Sequence, residues 1–257
     1  MNVSVCMATY NGARYVHEQV ASILPQLGPS DELVVVDDCS RDETVSVLRA
    51  LEDPRVRIHC NERNRGVVAS LERALRLACN DVLMLADQDD VWLPGRVRTL
   101  VAALQSSGAL VASSNSSFMD AGGAPICFDF PRLRAADSTR YWRNIARIFA
   151  GSASYWGCAM AFCRPVLDLV LPMPAWVESH DLWIATGSNL IRSNVHVECD
   201  TLRRRVHGSN ASIVSRSLHL KLRSRAIFAR SVLVLGLRAR TLRTNVLSSH
   251  CSGRVAR

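Results

Sequence analysis

The sequence predicts an α/β protein built on a mostly parallel sheet, and three observations carry that reading. Short apolar runs of strand length recur at residues 3–8, 33–36, 55–60 and 82–86. The first three are each followed, after a short polar link, by a segment whose apolar residues repeat at helical spacing, and repeated strand-then-helix units favour a parallel sheet. Acidic residues, Asp37-Asp38 and Asp87-Gln88-Asp89-Asp90, fall where two of those strands end.

Composition sets the outer limits. With 257 residues and 48% hydrophobic content, the chain can bury one large core, or one core with a small appendage. No stretch approaches the roughly 18 uninterrupted apolar residues of a membrane span, and the N-terminus lacks the basic-then-apolar pattern of a signal peptide, so a cytoplasmic protein is expected. The nine cysteines form no C-x-x-C pair, and those in apolar runs (Cys6, Cys60, Cys79, Cys158, Cys163) read as reduced, small core residues, excluding a disulfide frame or zinc site. The net charge of +8 is unevenly placed. Residues 201–257 hold 13 of the 31 basic residues and no acidic one, which leaves 18 basic against 23 acidic residues in 1–200. A basic tail on an acidic body points to an anionic partner surface, a membrane or a nucleic acid.

In order, the strand at 3–8 leads through the polar turn Thr9-Tyr10-Asn11-Gly12 to a helix at 13–24 with Val16, Val20, Ile23 and Leu24 on one face. Such junctions gather helix N-termini and free backbone N–H groups where doubly wound sheets bind nucleotides. The strand at 33–36 ends in Asp37-Asp38, one of which closes the strand while the other is placed to accept hydrogen bonds from a base or ribose. Ser40 with Glu43 reads as a capping box for the next helix, whose inward face is Thr44, Val47, Leu48 and Leu51. After the strand at 55–60, Asn64-Arg65-Gly66 opens a helix bearing Val67, Leu71, Leu75 and Ala78. No G-x-G-x-x-G follows the first strand and no G-x-x-x-x-G-K-[ST] occurs, so neither a dinucleotide fold nor a P-loop is supported.

The strand at 82–86 runs into Asp87-Gln88-Asp89-Asp90-Val91-Trp92. Asp87 and Asp89 stand two apart, a spacing that turns two carboxylates the same way on an extended segment to hold a hard divalent ion by oxygen. The plainer reading is a solvated acidic turn that caps the next helix, at 97–104. A further strand is expected at 109–113, and 115–155 reads as irregular, with surface loops and one helix near the aromatic and basic patch Tyr141-Trp142-Arg143. Residues 157–162 read as a strand and 166–171 as a short helix. Asp181, in Glu178-Ser179-His180-Asp181-Leu182-Trp183, is either an N-cap or a general base over the sheet edge, and His180 either orients it or caps the helix. Trp156 and Trp183 fit stacking on a sugar face or core packing equally well. A last strand at 195–199 leads into Arg203-Arg204-Arg205-Val206-His207.

In this order, Ala8-Thr9-Tyr10-Asn11-Gly12, Val36-Asp37-Asp38, Asn64-Arg65-Gly66, Asp87-Gln88-Asp89-Asp90, His180-Asp181 and Arg205-Val206-His207-Gly208-Ser209-Asn210 resemble the motifs of family 2 glycosyltransferases of the GT-A fold. The resemblance covers residues 1 to about 212, leaving 213–257 as a basic amphipathic helical tail. The Asp-Gln-Asp-Asp-Val-Trp run further resembles the subgroup that includes bacterial rhamnosyltransferases of cell-surface polysaccharide synthesis. The resemblance implies a Rossmann-like sheet flanked by helices and an inverting transfer from a nucleotide-diphosphate sugar, dTDP-L-rhamnose as first choice, to a saccharide or lipid-linked saccharide acceptor. It implies that Thr9, Tyr10 and Asp38 lie by the nucleotide base, that Gly66 leaves room for the nucleotide, and that Asp87 holds ribose. Asp89 would hold Mg2+ or Mn2+, with His207 near the metal or diphosphate, and Asp181 would be the catalytic base. The chain departs from the family pattern at Arg204 and Val206, which replace Tyr and Gln of a Tyr-Arg-Gln-His segment, and at His180, which stands where an acidic residue usually precedes the base.

The competing functional class is a non-catalytic nucleotide-sugar-binding or scaffold subunit that has lost turnover. A nucleic-acid partner is disfavoured, because the body is acidic and aromatics are not interleaved with the basic run. In the tail, Lys221, Arg223, Arg225, Arg230, Arg238, Arg240 and Arg243 flank two short apolar runs, a pattern that suits a helix lying on an anionic membrane, as a peripheral protein of the cytoplasmic face, or packing on the catalytic domain.

Overall fold

The computed structural model describes residues 1–128, 130–207 and 218–252, with side chains described up to residue 207 (residue 129 apart) and over 223–241. Gly208, Ser209, Asn210 and the expected domain boundary at 212/213 lie outside the described residues, as do the side chains of Lys221 and Arg243. Among the described residues, no helix is long and apolar enough to cross a membrane.

A nine-stranded sheet organises the chain. In spatial order it runs β3 (Val56–Cys60), β2 (Glu32–Asp37), β1 (Val3–Thr9), β4 (Val82–Ala86), β8 (Met160–Cys163), β6 (Val111–Met119), β9 (Asn194–Arg205) and β5 (Val91–Trp92), with β7 (Pro125–Ile126) attached to β6. β1 to β4 are mutually parallel, β8 is antiparallel to both neighbours, β9 is parallel to β6, and β5 is antiparallel to β9. The carboxyl ends of β1, β2 and β4 therefore share one edge, which carries the turn after Thr9, Asp37-Asp38 and Asp87-Gln88-Asp89-Asp90.

Side chains alternate across a strand, so each strand serves two cores. Val34 and Val36 of β2 pack with Leu71, Ala74 and Leu75 of α3 (Val67–Leu77), on the face also covered by α6 (Leu167–Val170) and α7 (His180–Leu190). Leu33 and Val35 pack on the opposite face with Val16, Val20 and Ile23 of α1 (Val16–Ile23), shared with α2 (Thr44–Arg49) and α4 (Arg96–Ser107). Beneath the site, Arg96 is 1% exposed and stacks over Trp92 at 4.5 Å. It donates to Thr201 Oγ1 and, at 2.5 Å, to the Cys158 carbonyl, and burial lowers its pKa to about 10.

Several local expectations are corrected. Ser40 and Glu43 form no capping box: the Ser40 hydroxyl donates to Asp37 Oδ2 at 2.5 Å, and Asp42 Oδ1 accepts the Thr44 N–H at 3.1 Å in its place. The region 115–155 is less irregular than read, because β6 extends to Met119 and α5 (Tyr141–Ala150) follows. β9 likewise runs on through Arg203-Arg204-Arg205, with register shifts against β6 around Asn115. Of the five cysteines read as core, only Cys6 and Cys158 are buried: Cys60 ends an edge strand and Cys79 follows a helix end, both exposed.

The last helix, α8 (Leu218–Ser252), packs on the domain. Leu235 is fully buried, Arg238 donates to the Leu169 and Pro172 carbonyls at 3.2 and 2.9 Å, and the Arg230 guanidinium lies 4.5 Å over Trp176. Its opposite side leaves Leu233 and Leu237 exposed, next to Trp142 and Phe149 of α5.

Candidate active site

The turn after β1 is held from two sides. Gln88 accepts the Tyr10 N–H at 2.9 Å through Oε1 and donates through Nε2 to the Tyr10 carbonyl at 3.2 Å, pinning the turn to the acidic segment. A Cβ on Gly12 would stand 2.2 Å from Gln88 Oε1, so a larger residue there would push the Gln88 amide off the Tyr10 backbone. Tyr10 itself is 43% exposed, whereas Thr9 is 1% exposed and commits its hydroxyl to Asp37 Oδ2 at 2.9 Å. Thr9 thus supports the turn from below.

Asp38, the aspartate beyond the strand, organises the loop that leads into α3. Its Oδ1 accepts from Asn61 Nδ2 at 2.7 Å and Arg65 N at 2.9 Å, and its Oδ2 accepts from Gly66 N at 2.7 Å. Burial works against its charge, but these bonds outweigh it and hold the carboxyl below its usual range. With the Ser70 hydroxyl also bonding to it, most of the carboxylate's accepting capacity is filled. Gly66 adopts φ 85°, a left-handed conformation suited to glycine, and the loop borders a cleft of about 910 Å³ lined by Arg63, Arg65, Gly66 and Met173.

The acidic segment is clamped by the end of β9. Arg205, 3% exposed, donates from its backbone N–H to Asp90 Oδ1 at 3.0 Å, from Nε to the Asp89 carbonyl at 2.8 Å, and from Nη2 to Glu18 Oε2 at 2.6 Å. His207 Nε2 lies 2.7 Å from Asp89 Oδ2, and its ring stacks on Tyr15 with centroids 5.3 Å apart. Asp89 and His207, expected at a metal from residues far apart in the chain, are thus in direct contact. Asp87, Asp90 and Cys158 form a second group, with ligand atoms within 4.8 Å of one another.

Electrostatics mark this place as short of positive charge. Burial, then the nearby Asp89, pushes the Asp87 carboxyl up; burial, then Asp87, pushes Asp90 up to about 7. Asp90 Oδ2 is buried with no hydrogen-bond partner among the described residues. A hard divalent cation binds carboxylate oxygens, so the orphaned oxygen and the crowded carboxylates fit Mg2+ or Mn2+. Burial keeps the Cys158 thiol protonated, which leaves the carboxylates as the donors.

The base candidate sits over the same edge. Ser179 is the N-cap of α7, accepting the Leu182 N–H at 3.2 Å, so Asp181 is released from capping. His180 Nε2 lies 2.6 Å from Asp181 Oδ1. Burial would raise the Asp181 pKa, yet the His180 charge prevails and holds it below the usual range; conversely Asp181 raises His180 against the effect of burial. A Cβ on Gly157 would come within 2.5 Å of Asp181 Oδ1.

Arg204, read from sequence only as a departure, proves central. Burial disfavours its charge, but Cys158, Asp90, Asp87 and Asp181 hold its protonation above the usual range, and its guanidinium lies 4.0 Å over the Trp156 ring. Trp183, by contrast, is 1% exposed and donates to the Val170 carbonyl at 2.9 Å, which makes it core packing. Gln88 and Gly157 were also missed; the placing of an amide between two aspartates is the signal that marked the first.

A sheet of this order, with Asp-x-Asp at the carboxyl end of its fourth strand and a carboxylate from a later helix over the same edge, defines a GT-A-like fold of the nucleotide-sugar transferase class. Residues 4–154 match the family described as Glycosyl transferase family 2, and the chain belongs to that family. The succinoglycan biosynthesis protein ExoO of Rhizobium meliloti is 34% identical over 122 residues, which are 48% of this chain and 35% of that protein, so the chain spans about a third of that curated relative. Among solved structures, Staphylococcus aureus TarS in complex with UDP-GlcNAc superposes with a TM-score of 0.68 at 19% identity, over 91% of this chain and 70% of that one. The mannosyltransferase PcManGT of Pyrobaculum calidifontis, in complex with GDP-Man and Mn2+, gives 0.60 at 19% identity, over 96% and 75%.

Proposed function

We propose that the chain catalyses inverting transfer of a sugar from a nucleotide-diphosphate donor to a saccharide or lipid-linked saccharide acceptor in bacterial surface polysaccharide synthesis. The observation that carries this reading is the gathering of Asp87 and Asp90 with the sequence-distant Asp181 around Arg204 at one sheet edge, with Asp89 beside Asp87. The acceptor hydroxyl gives its proton to Asp181 as its oxygen bonds to the anomeric carbon, and the bond from that carbon to the diphosphate breaks on the opposite face. Asp89 with His207, or the carboxylates of Asp87 and Asp90, would hold a divalent cation, which would supply charge neutralisation for the departing diphosphate. Arg204 adds a fixed positive charge, and the Tyr10 turn, Asp38 and the Gly66 loop are the proposed base and ribose contacts. Succinoglycan synthesis by the relative ExoO supports a polysaccharide product. dTDP-L-rhamnose remains the first donor choice; the UDP-GlcNAc and GDP-Man held by the structural neighbours define the rest of the panel. We also propose that Leu233, Leu237 and Phe149, flanked by Arg225, rest on an anionic membrane surface.

The test is a thermal-stabilisation panel of these nucleotide sugars with and without Mn2+, followed by transfer assays on Asp181→Asn. Donor binding should survive the substitution while transfer falls about 100-fold or more. Undiminished transfer by Asp181→Asn would reject the mechanism.

A further inference from the structure

Beside the candidate active-site edge lies a cleft of about 1130 Å³ that none of Asp38, Asp87, Asp89, Asp181 or His207 lines. One wall is aromatic: Phe128, Phe130 and Phe118 pack in a cluster, and Trp156 meets Phe130 edge-on at 5.4 Å. Trp156 joins this wall to the chemistry, because the Arg204 guanidinium covers its ring at 4.0 Å while facing Asp87, Asp90 and Asp181. The other wall is cationic. Arg140, Arg143 and Arg147 surround the single carboxylate of Asp137 at 3.3–3.4 Å, a local excess of two positive charges, while of the cleft's other carboxylates Asp200 pairs with Arg132 at 2.6 Å and Glu198 accepts the Ala135 N–H at 2.7 Å. Asp137 is 7% exposed, whereas the side chains of Arg140 and Arg143 are 53% and 55% exposed and line the opening. Arg134 adds another exposed guanidinium, with no carboxylate paired to it among the described residues.

One guanidinium would neutralise Asp137; the second and third have charge to offer another anion, in a geometry that suits planar or tetrahedral oxyanions. Aromatic rings offer apolar faces to the C–H side of a sugar ring. We propose that this cleft is the acceptor subsite and selects a saccharide bearing an oxyanion, a phosphate or a carboxylate, seated on Arg140 and Arg143 with the sugar against Trp156. The assignment of the cleft to an acceptor rests on the transferase reading; its preference for anions does not.

The full chain is titrated calorimetrically with glucose 6-phosphate, glucuronate and methyl glucoside, and separately with UDP and Mn2+. Both anionic sugars should bind about tenfold more tightly than the neutral one, and the Arg140→Gln/Arg143→Gln double variant should remove that advantage while UDP affinity stays unchanged. The tighter of the two anions identifies the group selected. Equal binding of methyl glucoside, or anion binding that the double variant leaves intact, overturns the proposal. Failure of UDP to bind counts against the transferase reading alone, since the variant's effect on the anionic sugars is read without nucleotide.

Discussion

The contact between His180 and Asp181 sets the expected pH behaviour of the base. With the imidazolium 2.6 Å away, Asp181 stays ionised below the ordinary carboxylate range, so the limb of the kcat/KM profile that Asp181 itself sets is expected below that range. In His180→Gln, burial acts on Asp181 without that countercharge, and the limb moves upward; a pH–rate profile checks it, and an unmoved limb would show that His180 does not tune the base. Stability follows with its own sign. The depressed Asp181 contributes above the unfolded carboxylate pKa and loses that contribution as pH falls through its folded value. The raised His180 contributes fully below about pH 6.5 and loses it as pH rises through its own folded value. The gap in unfolding midpoint between wild type and His180→Gln should therefore be widest between about pH 4 and 6.5.

At the level of elements, the 3-10 turn Gly157–Ala159 ahead of β8 places the base as firmly as α7 does. A Cβ at Gly157 meets Asp181 Oδ1 at 2.5 Å and His180 Nε2 at 2.6 Å, so Gly157→Ala displaces the pair. Transfer should fall about 100-fold with donor affinity unchanged, measured as kcat against donor Kd. This contact brings together residues whose sequence neighbours say nothing of each other, which is why pattern reading passed over Gly157. β1, β2 and β4 were legible because strands buried on both faces read as apolar runs. The later part of β6 was not, since Ser113-Ser114-Asn115-Ser116-Ser117 is polar yet mostly buried. Ser114 Oγ donates to the Ala159 carbonyl, and Asn115 donates to the Leu133 and Glu198 carbonyls, so hydrogen bonds replace the hydrophobic signature. The acids of the site were legible by type and order. Arg204 was not, because a third of a run of arginines after a strand reads as a solvated end until the strand is seen to continue through it.

For the whole molecule, α8 reconciles two expectations that the basic tail left open. Its inner face belongs to the catalytic core, so deleting residues 218–257 would expose Trp183 and its neighbours and lower Tm, making truncation a poor assay for membrane attachment. The outer face offers a cleaner one. Leu233 and Leu237 are 69% and 65% exposed, so Leu233→Glu/Leu237→Glu should leave Tm nearly unchanged. Co-flotation with vesicles containing phosphatidylserine should drop by about tenfold if this face meets the bilayer. Flotation equal to wild type would remove the membrane from the proposal.

The Arg205 clamp reaches back 187 residues to Glu18, and its strand follows β1 to β8 in the chain. As the polypeptide leaves the ribosome, the first four strands can pair while Asp89 and Asp90 still repel one another without a cationic neighbour from β9. The site as proposed is therefore complete only once β9 has paired beside β6. A prematurely terminated product ending before residue 203 would keep much of the sheet and yet have no working centre.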